Sequence, residues 1–283
     1  MPNHNQKFQI PFVKMHGLGN DFLIIDCRKN DYQFSKTQIK LLGNRNLGVG
    51  FDQFVLMYNA EKDNAHVFLK FWNSDGSTSS TCGNATRCVA DIIMNETGLD
   101  CVYIATSAEK IKCLKLNNGQ ISTNLGIPKT AWDDIPLSEK CDTSKLPIEG
   151  NPIATSIGNP HCTFFVENLN KFSISKIGQK TEINPLFPKK TNVQIAEVVD
   201  DSKIKVKVWE RGSGITMASG SSACAVAFSA KRLNLTKDSV KIILDGGIVD
   251  VDCKEDGVWV SGDIKYVFSG KISSLLFDDR NNK

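Results

Sequence analysis

Cys82 is the residue of this sequence whose type and setting best suit acid–base chemistry on carbon. Cys82-Gly83-Asn84 precedes apolar residues at helical spacing, so we expect Cys82 at the start of a helix. A thiolate at a helix N-terminus is stabilised by N–H groups that have no helical partner and by the helix dipole. The same N–H groups can bind a carboxylate. Burial as a structural cysteine is the alternative interpretation.

The surroundings of Cys82 are repeated 137 residues later, around Ser219. Trp72 lies ten residues before Cys82, and Trp209 lies ten residues before Ser219. Each copy runs from an apolar strand through a polar loop to a Cys-Gly or Ser-Gly pair that opens an apolar helix. A carboxylate held by two such helix starts would place its α-carbon between residues 82 and 219. We therefore expect a proton to be removed from one face of that carbon and returned to the other.

Other chemistries fit the sequence less well. No C-x-x-C pair occurs and the histidines fit no finger spacing, which predicts no metal site. The loop His16–Asp21 lacks a third glycine and precedes a strand, and no P-loop is present, so no nucleotide cofactor is expected. A thiol hydrolase built from Cys82, His161 and Asn159 remains open. It gives no reason for the second loop.

Length and composition limit the kind of protein in which this chemistry can occur. The chain has 283 residues, which suits two domains of roughly 100–150 residues each. Lys plus Arg number 34 against 31 Asp plus Glu, which predicts no nucleic-acid partner. No apolar run approaches the roughly 18 residues of a membrane span, and the first residues carry no apolar signal segment. Nine scattered cysteines favour a reducing compartment, so we expect a cytoplasmic protein.

Most of the elements that the sequence predicts are strands, and these elements must position the two repeated loops. Lys203–Trp209 alternates polar and apolar residues, which is typical of a strand with one wet face. Helical spacing of apolar residues predicts a helix over 84–95, and a second helix, apolar on most sides and therefore buried, is expected over 222–232. The segment 126–160 contains five prolines and little periodicity, and we expect the chain to pass there from one domain to the next. Nine further strands are expected, near 22–26, 67–72, 110–116, 120–125, 163–166, 193–199, 241–244, 248–253 and 265–268.

Six motifs, in order along the chain, resemble the successive signatures of the diaminopimelate epimerase family. They are 14–22 (KMHGLGNDF), 48–53 (GVGFDQ), 73–77 (NSDGS), 82–88 (CGNATRC), 158–161 (GNPH) and 210–214 (ERGSG). The resemblance implies an α+β fold of two pseudo-symmetric domains, each a curved mixed sheet wrapped around a central helix. It places the domains at 1–126, joined by a last strand at about 267–283, and at 127–266. It also implies a homodimer that converts LL- to meso-diaminopimelate without a cofactor.

The resemblance also assigns roles residue by residue. Cys82 matches the first catalytic cysteine, and the backbone of Gly83-Asn84 and Gly220-Ser221 matches the cradle of the α-carboxylate. His161 is expected to support its neighbours. Matching substrate-binding positions are Asn20, Gln53, Asn73, Asn159, Asn192, Glu210 and Arg211. Their chemistry agrees, because Arg211 can bind a distal carboxylate through two hydrogen bonds and Glu210 a distal ammonium.

One position departs from the family pattern. Ser219 stands where the family has its second catalytic cysteine. A hydroxyl is a far weaker acid than a thiol, so Ser219 is a poor base, and we expect impaired epimerisation. Two alternatives stay open: a racemase or dehydratase of another amino acid in the same superfamily, and a relative that binds an amino acid without turning it over.

Overall fold

The computed structural model describes residues 9–61, 64–80 and 82–277. Four α-helices lie in this part of the chain: α1 (Lys36–Gly43), α2 (Gly83–Thr97), α3 (Ile174–Glu182) and α4 (Gly220–Arg232), with two 3₁₀ turns at Leu169–Lys171 and Ser274–Phe277. The strands are β1 (Gln9–Gly17), β2 (Asn20–Asp26), β3 (Gln53–Asn59), β4 (Val67–Asn73), β5 (Thr78–Ser79), β6 (Cys101–Ala105), β7 (Lys110–Lys115), β8 (Ile121–Asn124), β9 (Ile153–Ser156), β10 (Pro160–Phe165), β11 (Asn192–Asp200), β12 (Lys203–Glu210), β13 (Gly214–Thr216), β14 (Ser239–Leu244), β15 (Gly247–Lys254), β16 (Gly257–Gly262) and β17 (Ile264–Ser273). Few helices and a mixed sheet confirm the α+β prediction.

The chain forms two compact units. The first contains the residues up to Lys112 and those from Ile264 onward, and the second contains Cys113–Asp263. These limits lie 14 and 3 residues before the predicted domain limits at 126 and 266. The reason is hydrogen bonding, because β8 pairs with β16 and so joins the second unit. The segment 126–160 belongs to that unit too, where Ile135 and Leu146 are fully buried. Which residues form each epimerase domain stays a prediction.

The same order of pairings occurs in both units. In the first, β1 and β2 are antiparallel, β2 and β3 parallel, β3 and β4 antiparallel, and β4 pairs with β5 and β6. In the second, β9 to β14 repeat this series pairing for pairing. Helices α2 and α4 begin 137 residues apart, as the repeated sequence predicts. Each unit is therefore one copy of a duplicated fold.

The longer helix of each unit packs against its sheet, and the shorter helices α1 and α3 contact strands as well. In the first, α2 contacts β1, β2, β6 and β17, and it ends at Gly98, which takes the left-handed conformation and donates to the carbonyl of Met94. In the second, α4 contacts β9, β10, β11, β12, β14, β15 and β16. Its buried face consists largely of Ala and Ser, whose small side chains allow the strands to approach closely. Both predicted helices are confirmed.

Packing also fixes the strand ends that carry polar residues. Ile204, Val206 and Val208 of β12 point into the core, as the alternation predicts. Helix α3 lies against β12, and a Cβ at Gly178 would overlap the indole ring of Trp209. This packing fixes the position of β12 up to Glu210, its last residue.

Candidate active site

The two repeated loops have the same backbone conformation at the starts of their helices. Cys82 is the N-cap of α2 with φ −154° and ψ 107°, and Ser219 is the N-cap of α4 with φ −144° and ψ 116°. The side chain of Cys82 makes no capping bond, whereas the hydroxyl of Ser219 accepts from the N–H of Ser222 at 3.4 Å. The first N–H groups of a helix have no partner within it, so each helix start offers donors to an anion.

Asn20 and Asn84 come together in the first unit. The amide of Asn84 donates to Asn20 Oδ1 at 3.2 Å, and Asn20 donates to Asp52 at 3.1 Å. Asn84 in turn accepts from the buried Arg87. The strand-end loop that bears Asn20 is thus connected to the first turn of α2, where Gly83 and Asn84 follow Cys82.

Gln53 and Asn73 form a second pair in this unit. They lie opposite each other on β3 and β4, and Gln53 donates to Asn73 Oδ1 at 3.1 Å. Asn73 donates to the hydroxyl of Ser77 at 3.0 Å. The side-chain oxygen of Gln53 is buried and accepts no hydrogen bond from the part of the chain that is described. This oxygen of Gln53 is therefore available to accept a hydrogen bond from a ligand.

A charged cluster holds these loops, and our sequence reasoning missed it. Asp21 accepts from Lys14 at 2.6 Å and from Arg45 through both carboxylate oxygens. Asp21 and Asp52 also accept the backbone N–H of each other. Burial opposes ionisation of Asp21, but the hydrogen bonds from Arg45 and Lys14 hold its pKa well below the ordinary value. Asp21 and Asp52 both lie inside the six motifs, next to Asn20 and Gln53. That position in the sequence is the signal that could have identified them.

In the second unit, Asn192 connects two loops rather than standing open. Its Oδ1 accepts the N–H of Arg211 at 3.0 Å, and its Nδ2 donates to the carbonyl of Pro160 at 2.9 Å. The guanidinium of the exposed Arg211 donates to the carbonyl of Lys189 at 3.1 Å. Beside it lies a cleft of about 380 Å³. Its lining consists of Asp133, Asp134, Pro136, Ser156, Gly158, Asn159, Pro160, Lys189 and Arg211.

Glu210 bonds to a hydroxyl group instead of pairing with its neighbour Arg211. Its Oε1 accepts from the hydroxyl of Thr216 at 2.8 Å. Burial raises the pKa of Glu210, and the side chains of Thr216 and Ser219 oppose that rise. Gly220 and Ser221 follow Ser219 as the first two residues of α4.

A second carboxylate, Glu182, supports Glu210-Arg211 and was also missed. It accepts the indole N–H of Trp209 at 2.7 Å and the backbone N–H of Gly212 at 3.0 Å. These two partners, Trp209 and Gly212, directly precede and follow Glu210-Arg211 in the sequence. An exposed-looking Glu at the end of a short helix gives no sequence signal for this role.

His161 is fully buried, and both of its ring nitrogens have partners. Nε2 lies 2.8 Å from Asn159 Oδ1, and Nδ1 lies 3.0 Å from Gln194 Nε2. Burial, together with the charge of Arg211, lowers the pKa of His161 to about 3. The neutral ring therefore has no nitrogen left to take a proton from a thiol, which disfavours the hydrolase alternative.

Most of the other cysteines are more deeply buried than Cys82, and only Cys101 and Cys141 are half-buried as it is. Burial raises the pKa of Cys88 and Cys162 well above the ordinary value, and raises that of Cys253 to about 11. Cys82 is only half-buried. Over residues 9–61, 64–80 and 82–277, no cluster of His, Cys, Asp and Glu could hold a metal ion, and no helix is long and apolar enough to cross a membrane.

Comparison with known proteins agrees with this geometry. The family model for diaminopimelate epimerase matches residues 12–130 and 153–267, and so covers both copies of the repeat. The chain belongs to the diaminopimelate epimerase family. The diaminopimelate epimerase of Acidiphilium cryptum is 39% identical over 94% of this chain and 97% of its own length. That of Pelagibacter ubique is 42% identical over 86% and 92%. The family places the chain among isomerases.

Solved structures of low identity share the fold of this epimerase family member. A phenazine biosynthesis protein of the PhzF family from Bacillus anthracis superposes with a TM-score of 0.65 at 14% identity, over 94% of this chain and 99% of its own. A hydroxyproline epimerase from Agrobacterium vitis gives 0.65 at 13% identity, over 95% and 92%. These similarities confirm the predicted epimerase-like architecture.

Proposed function

We propose that this chain epimerises LL-diaminopimelate to meso-diaminopimelate by moving one proton at an α-carbon, without a cofactor. Membership of the family over both halves supports the substrate. The observation that carries the mechanism is the pair of matching helix starts, with Cys82 and Ser219 as N-caps of nearly equal backbone conformation. The two-base reaction assigns one of these residues to each face of the α-carbon.

The first turns of both helices bind the α-carboxylate through backbone N–H groups. The thiolate of Cys82 takes the α-proton, and the electron pair of the broken C–H bond moves into the carboxylate as an enediolate. Negative charge grows there in the transition state, and oriented N–H donors stabilise it. The hydroxyl of Ser219 returns a proton to the other face and regains one from water. In the reverse direction Ser219 is a weak base, so we expect slow turnover.

The distal end of the substrate lies in the cleft of the second unit. Arg211 binds its carboxylate, with the amide of Asn159 beside it, because both line the cleft. Glu210 takes the distal ammonium group, and Asn192 holds the backbone of Arg211 in place. In the first unit we assign Asn20, Gln53, Asn73 and the Gly83-Asn84 backbone to substrate binding. His161 supports Asn159.

We also propose that the protein works as a cytoplasmic homodimer. Strand β17 pairs with β1 along one side, and three consecutive side chains on it, Tyr266, Val267 and Phe268, are 60%, 50% and 44% exposed. A second copy would cover such an apolar strip. A sedimentation experiment in which the protein stays monomeric at micromolar concentration would refute the dimer. Free thiols support a reducing compartment; they include Cys27, Cys88, Cys101, Cys141, Cys162 and Cys253.

The proposed activity is tested by incubating the protein with LL-diaminopimelate in D₂O. We expect the meso isomer to form and deuterium to enter at one α-carbon. A protein that only binds the amino acid would catalyse no exchange. Exchange into proline but not into diaminopimelate would identify a racemase of another amino acid instead.

A further inference from the structure

Four buried or half-buried side chains of the second unit form one continuous hydrogen-bonded chain. Thr163 donates to Gln194 Oε1 at 3.1 Å, and Gln194 Nε2 lies 3.0 Å from His161 Nδ1. His161 Nε2 lies 2.8 Å from Asn159 Oδ1. Thr163, Gln194 and His161 are each at most 1% exposed, whereas Asn159 reaches the cleft beside Arg211. This hydrogen-bonded chain of four side chains therefore runs from the core to the cleft.

Each bond in this chain sets the direction of the next. The hydroxyl of Thr163 occupies the oxygen of Gln194, so the NH₂ group of Gln194 faces His161. That group also donates to Ser222 at 3.0 Å, which uses its second hydrogen. A donor at Nδ1 makes that nitrogen the acceptor and leaves the ring proton on Nε2. Nε2–H then donates to Asn159 Oδ1.

The orientation of the Asn159 side-chain amide decides which kind of ligand the cleft can bind. With its oxygen engaged by His161, Asn159 is left with its NH₂ group, for which the described residues offer no acceptor. Two N–H donors beside the guanidinium of Arg211 suit a carboxylate. The reverse orientation would present an oxygen, which repels a carboxylate.

We propose that Thr163, Gln194 and His161 are positioning residues that hold Asn159 as a hydrogen-bond donor and so make the cleft selective for a carboxylate. This rests on the proposed function in that the carboxylate is taken to be the distal one of diaminopimelate. The role differs from proton transfer, because a neutral ring with both nitrogens engaged moves no proton. The low pKa of His161, which burial causes, agrees with a ring that stays neutral.

The direct test needs no substrate. The ring nitrogens of the four histidines are recorded by long-range ¹H–¹⁵N NMR on uniformly ¹⁵N-labelled protein. The signals of His161 are those missing from the His161→Gln variant. We expect a proton on Nε2 and none on Nδ1, unchanged between about pH 5.5 and 9. A proton on Nδ1, or a ring that becomes an imidazolium within that range, overturns the proposal.

A matched pair of variants tests the consequence for binding. Thr163→Val removes the hydroxyl that fixes Gln194. Thr155→Val removes an equally buried hydroxyl on the adjacent strand, which bonds Ser229 at 2.9 Å instead. We expect Thr163→Val to raise KM for LL-diaminopimelate about tenfold with kcat changed less than about twofold, the loss of one hydrogen bond to a charged group.

The conservative variant Thr163→Ser keeps the hydroxyl and should restore KM. Thr155→Val should leave KM unchanged even though it destabilises the fold. Equal KM values for both valine variants, or no rescue by serine, overturn the proposal. Should the unaltered protein not epimerise diaminopimelate while His161 carries its proton on Nε2, the assigned substrate fails and the hydrogen-bonded chain stands.

Discussion

Replacing Ser219 by cysteine is the perturbation that tests the proposed mechanism most directly. Ser219 is 7% exposed and is the N-cap of α4, so the new thiol would lie at the start of a helix, as Cys82 does. A positioned acid–base group contributes about 10²–10⁴-fold, and we expect kcat of Ser219→Cys to rise within that range. Substrate affinity should change little, because the carboxylate is bound by backbone N–H groups.

The structure also sets the cost of this substitution. The capping bond from Ser222 to Ser219 is 3.4 Å long, so its loss should lower the free energy of unfolding by about 1 kcal/mol at most. For a chain of this size, that corresponds to a fall in Tm of about 2–4 °C. Ser35→Cys is the matched control. It alters the N-cap of α1, where Ser35 accepts from Gln38 at 3.2 Å, and should leave kcat unchanged.

The assay follows epimerisation from both the LL and the meso isomer, together with dissociation constants. The reasoning fails if the Ser219 protein already turns over as fast as Ser219→Cys. Glu210, a buried carboxyl group whose pKa the side chain of Ser219 lowers, would then be the candidate for the group that carries the proton on this face.

Three further perturbations follow from the site. Cys82 should react with iodoacetamide faster at neutral pH than an ordinary exposed thiol, and substrate should protect it. Asp21→Asn should lower the free energy of unfolding at pH 7 by about 3 kcal/mol, because it leaves Lys14 buried without its full counter-charge. The low pKa of Asp21 stabilises the fold above its unfolded pKa of about 4, and this contribution is lost as the pH falls. Lysine and glutamate, which each lack one distal charge recognised by Glu210 and Arg211, should bind about 10–150-fold more weakly than diaminopimelate.

Each of these has its own measurement. Peptide mapping after alkylation separates Cys82 from Cys88, whose burial makes it a slow internal reference; equal rates without protection would remove Cys82 from catalysis. Denaturant titrations from pH 7 to pH 2 should show wild type losing more stability than Asp21→Asn, and parallel curves would contradict the sign. Calorimetry that finds lysine binding as tightly as diaminopimelate would reassign Glu210 and Arg211.

Periodicity predicted helix α2 and the alternating strand β12, because apolar residues recur at their spacing. Helix α4 was predicted instead from a run of small and apolar residues on most of its sides, and nearly all of these are buried. Helix α1 was missed although Ser35 and Gln38 form a capping box, a signal visible in the sequence. Strand β3 was missed as a strand because it is buried on both faces, and such a run has no alternation.

The candidate site residues differ in how visible they are in the sequence. Cys82 and Ser219 are predicted because a repeat marks them, and Asn20 is predicted because it lies in a motif. Gln194 could not be found, because β11 is buried at each of its first five residues and a polar residue there looks like a wet face. Partners such as Glu182 and Trp209 are 27 residues apart, and only the fold brings them together.

The contact of Gly178 with the ring of Trp209 restricts how this family member can change over time. Position 178 lies on a helix far from the substrate residues in sequence, yet a methyl group there would displace the indole ring and the Glu182 bond that it makes. Drift at this glycine is therefore coupled to the last residues of β12. Alanine at 178 would become acceptable only after a smaller residue had replaced Trp209, so the order in which the two substitutions arise is itself constrained.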